Sequence, residues 1–381
     1  MSSDLAPPVS APLDSACARP ADSTATVDDY LRRLVEVQGS DLHLKAGGHA
    51  YIRVDGQLSA VEDLPRLTPA STEAMARAMM DANATARFDT GAETDFAYMI
   101  AGLARFRAAA FRQRGSVGIV LRRVLPGAQD FAELGLPPAV RKLSTEHRGL
   151  VLVTGPTGSG KTTTSAAMIS NINATRRCHI VTIEDPIEVL HRDDLAVVDQ
   201  REVGVDTADF SAAMRSVARQ DPDVIFIGEM RDLETVGAAL QAAETGHLVL
   251  STLHTTNATE TVNRIIDMFP PHQQDQARVT LASSLKGVVC QRLLPRVGGG
   301  RIAALEILVM TSRLEEFLLD PARTDEIADA VADGGYYGMQ TFDQHLLQLY
   351  SDRLVTLKDA LEAATSPHDL RIAMRGAGLA S

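Results

Sequence analysis

The sequence is poor in cysteine, in aromatic residues and in positive charge, and it has no long apolar run. Its three cysteines, Cys17, Cys178 and Cys290, lie far apart with no CxxC spacing. Neither a disulfide framework nor a zinc ribbon can be assembled from them locally, so no zinc is expected and a reducing cytoplasm is. No uninterrupted apolar stretch approaches the roughly 18 to 20 residues that span a bilayer, and the N-terminus lacks a basic segment followed by an apolar core. Any membrane contact is therefore expected to be peripheral. A net charge of −12 and only 4% aromatic residues, with no stretch that interleaves stacking and basic side chains, argue against a nucleic-acid partner.

What is present suffices for more than one sizeable core: 381 residues, of which 45% are hydrophobic. Residues 1–26 are mostly Ala, Pro, Ser, Asp and Thr, a composition that cannot offset the entropy of ordering, and they read as a disordered tail. Residues 27–125 read as a small α+β domain. It holds helices over about Asp28 to Val37 and Ser71 to Met80, the latter with Ser71 as cap, and an Asp55-Gly56 turn. Its strands are expected at Asp41 to Lys45, Tyr51 to Val54, Asp95 to Ile100, Ala104 to Phe111 and Gly118 to Val124.

After a linker at 126–131 the texture changes to alternating short apolar strands and helices, the order of a wound parallel sheet. The strands drawn are Leu150 to Thr154, His179 to Glu184, Val224 to Gly228 and Leu248 to Leu253, all as apolar as buried parallel strands should be. This α/β domain is placed at 132–310. A helical region follows at 311–381, interrupted at Pro321, Gly334-Gly335 and Pro367.

The strongest motif is Gly155-Pro156-Thr157-Gly158-Ser159-Gly160-Lys161-Thr162, followed by Thr163, which meets the GxxxxGK[ST] pattern between a strand and a helix-forming run. Glycines there let backbone N–H groups converge on phosphate oxygens, Lys161 reaches the β and γ phosphates, and Thr162 ligates Mg²⁺. A nucleoside triphosphate, ATP, and Mg²⁺ are the expected cofactors. Asp223 to Glu229 form an apolar strand ending in a carboxylate, where such enzymes place a second acid of the Mg²⁺ site. Gly228 occupies the usual Asp position, which leaves Glu229 to act on the metal through a water. Glu184, Asp185 and Glu188 cluster at the end of another strand, where a water-activating base belongs. Gly246 to Thr255 bracket a strand with His247 and His254, and the strand-end position of His254 suits a phosphate sensor.

These four elements in this order, with Gly228-Glu229-Met230-Arg231-Asp232 and then Gly246 to Thr255, resemble the PilT-like branch of the secretion ATPase family. The likeness covers nearly the whole chain after the tail, including Gly39 to Leu44, Ala104 to Arg107 and Gly338 to Gln344. It implies a PAS-like N-terminal domain, a RecA-like ATPase domain with a helical cap, and a homohexamer with ATP held between the two domains at a subunit interface. It further implies Glu188 as general base, Glu229 as the Walker B acid, His247 and His254 as the His box, and arginines of the first domain on the γ-phosphate. Arg107 and Arg122 are chosen for that part from Arg105, Arg107, Arg112, Arg122 and Arg123.

The resemblance implies an ATP-driven motor of type IV pilus retraction at the cytoplasmic face of the inner membrane, with a platform protein, and a paralogous ATPase, as partners. The retraction motif AIRNLIRE is not matched by Thr311-Ser312-Arg313-Leu314-Glu315-Glu316-Phe317-Leu318, which keeps an accessory, PilU-like role open. An assembly or type II secretion motor is the nearest alternative, although the long extra N-terminal domain and tetracysteine element usual there are missing. A DNA translocase or a non-hydrolysing nucleotide sensor on the same core are readings of other classes.

Overall fold

The computed structural model describes residues 25–54, 56–91 and 93–379. Residues 1–24 of the expected tail, and Asp55 of the expected turn, lie outside the described residues. The chain divides into two units, 1–124 and 125–381.

In the first unit the elements are α1 (Val27–Glu36), β1 (Asp41–Lys45), β2 (Ala50–Val54), β3 (Gln57–Val61), α2 (Pro69–Met79), α3 (Ala82–Asp89), β4 (Thr94–Ile100), β5 (Ala104–Gln113) and β6 (Ser116–Pro126). The strands form an antiparallel sheet in the order β3-β2-β1-β6-β5-β4. Tyr30, Leu31 and Leu34, spaced three and four apart on α1, bury one helix face in a core shared with Leu42, Phe88 and Phe106. The fold starts earlier than composition suggests. Thr26 and Asp29 form a capping box that satisfies the first N–H groups of α1, and Ala25 packs against the core. Ser71 is not the cap of α2: Thr68 is, with Pro69 in the first turn, and Ser71 completes the box by accepting from the Thr68 N–H at 2.8 Å.

The second unit contains α4 (Pro138–Ser144), β7 (Gly149–Thr154), α5 (Lys161–Thr175), β8 (His179–Glu184), β9 (Val189–Leu190), β10 (Val197–Glu202), α6 (Phe210–Val217), β11 (Val224–Ile227), α7 (Leu233–Glu244), β12 (Leu248–Leu253), α8 (Ala258–Asp267), α9 (Gln274–Ser284), β13 (Leu285–Pro295) and β14 (Arg301–Val309). Its sheet runs β10-β8-β11-β12-β7-β13-β14. Six strands are parallel, the four drawn from the sequence together with β10 and β13, and β14 pairs antiparallel with β13 and closes the edge. Side chains alternate between two cores: on β7, Val151 and Val153 face one layer with Ile169 and Ile172 of α5, while Leu150 and Leu152 face the other.

Phe131, which composition placed in a linker, is 4% exposed in the α5-side core, because an aromatic ring next to the boundary has more to gain from burial than from water. The C-terminal helices α10 (Ser312–Leu319), α11 (Ile327–Asp333), α12 (Phe342–Ser351), α13 (Leu357–Ala363) and α14 (Pro367–Gly376) share the opposite core through Leu314, Phe317, Phe342 and Met374. They are thus part of the second unit. Short 3₁₀ turns at Pro321–Glu326 and Gly334–Tyr337 mark two of the expected breaks, and Pro367 opens α14, where its missing N–H costs nothing.

Candidate active site

Parallel pairing brings the C-terminal ends of four strands to one edge: Leu253 lies beside Thr154, and Ile227 beside both Ile183 and Ser251. Gly155, Glu184, Glu229 and His254 therefore leave the sheet on the same side. The loop that follows β7 turns on positive φ at Gly155, Gly158 and Gly160. A Cβ at Gly155 would lie 2.4 Å from the Gln291 carbonyl and 2.6 Å from Ser159 Oγ, so only glycine fits. Gly160 caps α5 without a side chain, which leaves the first N–H groups of the helix for an anion. Ser159 Oγ is buried and has no hydrogen-bond partner among the described residues, as a group reserved for a ligand oxygen would be.

Lys161, 9% exposed, donates from Nζ to the carbonyls of Gly155 (2.8 Å) and Pro156 (3.1 Å), and Nζ lies 3.4 Å from His254 Nδ1. Burial lowers its pKa, while the charges of Glu229 and Glu188 pull the other way. Glu229 is engaged at both oxygens, by His254 Nε2 at 3.1 Å and Arg231 Nη2 at 2.8 Å. Burial pushes its carboxyl up, but the hydrogen bonds from Arg231 and His254 and the charge of Arg231 outweigh burial and hold it below its ordinary range. Arg231, Glu229, His254 and Lys161 thus form one polar chain across the strand ends. Thr162 and Thr163 are half-buried on the first turn of α5, and Pro156, Thr157 and Gly158 are exposed.

Of the acids after β8, Glu188 is exposed and its charge reaches Lys161. Glu184 is 7% exposed and accepts from Thr182 Oγ1 (2.8 Å) and Gln200 Nε2 (3.0 Å); burial raises its pKa, and these bonds identify it as an internal brace. Asp185 is exposed beside Pro186. His247 is not brought to the site. It precedes β12, whereas the phosphate loop follows the strand's other end, about 20 Å away at roughly 3.3 Å per residue. Its Nδ1 instead lies 3.0 Å from the Ala242 carbonyl at the end of α7.

Arg107 and Arg122 stand opposite each other on β5 and β6 of the first unit, both exposed, and Arg122 Nε donates to Asp41 Oδ1 at 2.8 Å. Two side chains and a cavity escaped the sequence reading. Arg231 was seen only as part of a motif. Gln291 contacts the phosphate loop from β13, and a cavity of about 380 Å³ beside Gly160 is lined by Thr163, Gln291, Leu293 and Arg301. The signal for Gln291 was present: it is a lone amide in the apolar run Val288 to Leu294, interrupted otherwise only by Arg292.

A phosphate loop between a buried parallel strand and an uncapped helix, with a carboxylate at the end of a second strand, defines a P-loop nucleotide-binding protein. The sequence profile of the Type II/IV secretion system protein family matches residues 21–348, and the chain belongs to this family. It is 44% identical over 333 residues to the type IV pilus retraction ATPase PilT of Pseudomonas aeruginosa, covering 87% of this chain and 95% of that one. To the type IV pilus ATPase PilU of the same organism it is 42% identical over 349 residues, covering 91% of each. A crystal structure of the pilus retraction motor PilT with bound ADP superposes with a TM-score of 0.84 at 44% identity, covering 91% of this chain and 99% of that one.

Proposed function

We propose that this chain is an ATP-hydrolysing motor of type IV pilus retraction. The observation that carries the reading is the chain of contacts from Lys161 through His254 to Glu229 and Arg231 at the mouth of the phosphate loop. It is supported by similarity to PilT over nearly the full length of both chains. The loop from Gly155 to Thr163 holds the phosphates, and Lys161 neutralises the β and γ groups. The Thr162 hydroxyl and the Glu229 carboxylate are hard oxygen donors suited to Mg²⁺. Among the described residues no three His, Cys, Asp or Glu are grouped to hold a metal, so phosphate and water oxygens would complete the shell. With both its oxygens engaged, Glu229 acts through a water.

Glu188, an exposed carboxylate beside this constellation, is assigned to activating the attacking water, and His254 to sensing the γ-phosphate. Arg107 and Arg122 are assigned to the charge that develops on the transferring phosphoryl group. The working form is a homohexamer on a membrane platform protein. Among the described residues no helix is long and apolar enough to cross a membrane.

Steady-state ATPase assays on the purified oligomer test the chemistry. Wild type is expected to turn over, with Lys161→Ala and Glu188→Gln inactive and DNA without effect; an active Glu188→Gln overturns the base assignment, and stimulation by DNA revives a translocase. A second reading, an accessory motor like PilU, is favoured by the departure of Thr311 to Leu318 on and before α10 from the retraction motif. Complementation of a strain lacking its retraction ATPases separates the two: restored pilus retraction by this chain alone supports the independent motor, and retraction only with a paralogue present supports the accessory role.

A further inference from the structure

We infer that Gln291, which lies outside every nucleotide-binding motif, is a positioning residue for the phosphate loop and acts through Thr164 and the two end glycines. The inference rests on the nucleotide site proposed above. Gln291 is 3% exposed on β13, one residue beyond the pairing of Cys290 with Thr154, the last strand residue before the loop. Its main-chain carbonyl closes over Gly155, at 2.4 Å from where a Cβ would stand. Its side chain closes over the loop's other end: Oε1 accepts from Thr164 Oγ1 at 2.8 Å, and Nε2 would lie 2.7 Å from a Cβ on Gly160.

One residue thus touches both ends of a loop whose function is to hold backbone N–H groups at fixed spacing. The strand is anchored on both sides, to β7 and to β14, so it is a rigid reference for that spacing. Burying an amide on the strand face that carries Val289 and Leu293 is costly unless the amide is paired, so its partners identify its role. Thr164 lies on the buried face of the first turn of α5, 1% exposed, and its N–H bonds the Gly160 carbonyl at 3.0 Å. Through this bond the Gln291 side chain fixes the orientation of the helix end that meets the phosphates.

A purely structural amide would lower stability and leave nucleotide affinity alone, which gives the test. Gln291→Met, Thr164→Val, their combination and Thr164→Ser are compared with wild type in the full chain for binding of a fluorescent ATP analogue with Mg²⁺, for KM and kcat, and for thermal midpoint without nucleotide. The inference expects Gln291→Met and Thr164→Val each to weaken binding and raise KM by about tenfold, on the scale of one buried hydrogen bond. The double variant should be no worse than the worse single one, because both remove the same contact, and Thr164→Ser should bind like wild type. Affinities within twofold of wild type, or single effects that multiply, overturn it. Lys161→Ala serves as the reference: if it too binds normally, the nucleotide site itself is misassigned, whereas loss of binding there with unchanged Gln291→Met rejects only the part given to Gln291.

Discussion

Gln291 and Arg292 are consecutive on β13 and serve opposite faces of the sheet: Gln291 meets Thr164 beside the phosphate loop, and the Arg292 guanidinium lies 3.9 Å from the centre of the Phe342 ring. Arg292 also donates to the Ala363 carbonyl and, at 3.4 Å, to Thr365 Oγ1 between α13 and α14. One strand therefore ties the nucleotide site to the last helices of the unit. Arg292→Ala should loosen those helices first, at a cost of about 1–3 kcal/mol for the stacking and hydrogen bonds together. Hydrogen exchange checks this: amides of 357–376 should exchange faster while those of β7 stay protected. Uniform deprotection would place the effect elsewhere.

In the first unit, Asp41 is 5% exposed and accepts from Ser40 Oγ at 2.7 Å and Arg122 Nε at 2.8 Å. Burial raises its pKa, but the hydrogen bonds from Ser40 and Arg122 and the Arg122 charge prevail, and the carboxyl sits below its ordinary value. A depressed folded-state value means that the stabilisation is present above the ordinary carboxylate pKa and is lost as pH falls through the lower one. Asp41→Asn should cost about 1–2 kcal/mol at pH 7, discounted for the exposure of Arg122, and close to nothing near pH 2. Denaturant titrations at the two pH values measure the difference, and an equal cost at both would show that charge is not what Asp41 contributes.

The strands that carry the site were legible because buried parallel strands are short apolar blocks ended by glycine or a polar residue, and the β8 and β12 boundaries agree with that reading. The β13–β14 hairpin was not. Its apolar runs have no period that separates edge from centre, and its turn lies in Gly298, Gly299 and Gly300, where positive φ is invisible in composition. His247 stands apart from the phosphate loop within this chain for a related reason: seven residues along a strand are adjacent in a motif and about 23 Å apart in space. The contacts of Gln291 with Thr164 and of Arg122 with Asp41 span 127 and 81 residues, and nothing local in the sequence encodes them. The phosphate loop escaped this limit because all of its chemistry lies within eight consecutive positions.

Gly287 on β13 shows how closely the sheet packs away from the site. A Cβ there would lie 2.6 Å from Leu143 Cδ2 and 2.7 Å from the Leu308 carbonyl, and the second contact is backbone that cannot turn aside. Gly287→Ala should therefore destabilise the second unit by about 1–3 kcal/mol through overpacking, although alanine ordinarily suits a strand at least as well as glycine. Thermal unfolding checks the sign. Leu143→Ala in the same chain should recover only part of the loss, because it relieves the side-chain clash and not the carbonyl.

His345 on α12 supplies a pH dependence of stability that is independent of catalysis. It is 7% exposed, and its Nδ1 accepts from the Leu305 N–H at 2.9 Å, a bond that requires that nitrogen to be unprotonated. Burial brings its pKa down to about 4. The folded chain thus keeps the ring neutral at pH values where an unfolded chain, with an ordinary value near 6.5, takes up a proton. The contribution is fully present above about pH 6.5 and is lost progressively as pH falls toward 4, amounting to roughly 2 kcal/mol at pH 5 by linkage. His191, also lowered to about 4 by burial, adds a similar slope over the same range. In His345→Gln the amide oxygen can still accept from Leu305, but nothing titrates, so its stability should fall less than that of wild type between pH 7.5 and pH 5. Denaturant titrations at both pH values give the two differences; if they are equal, the ring does not take up its proton on unfolding and the assignment of a neutral buried His345 fails.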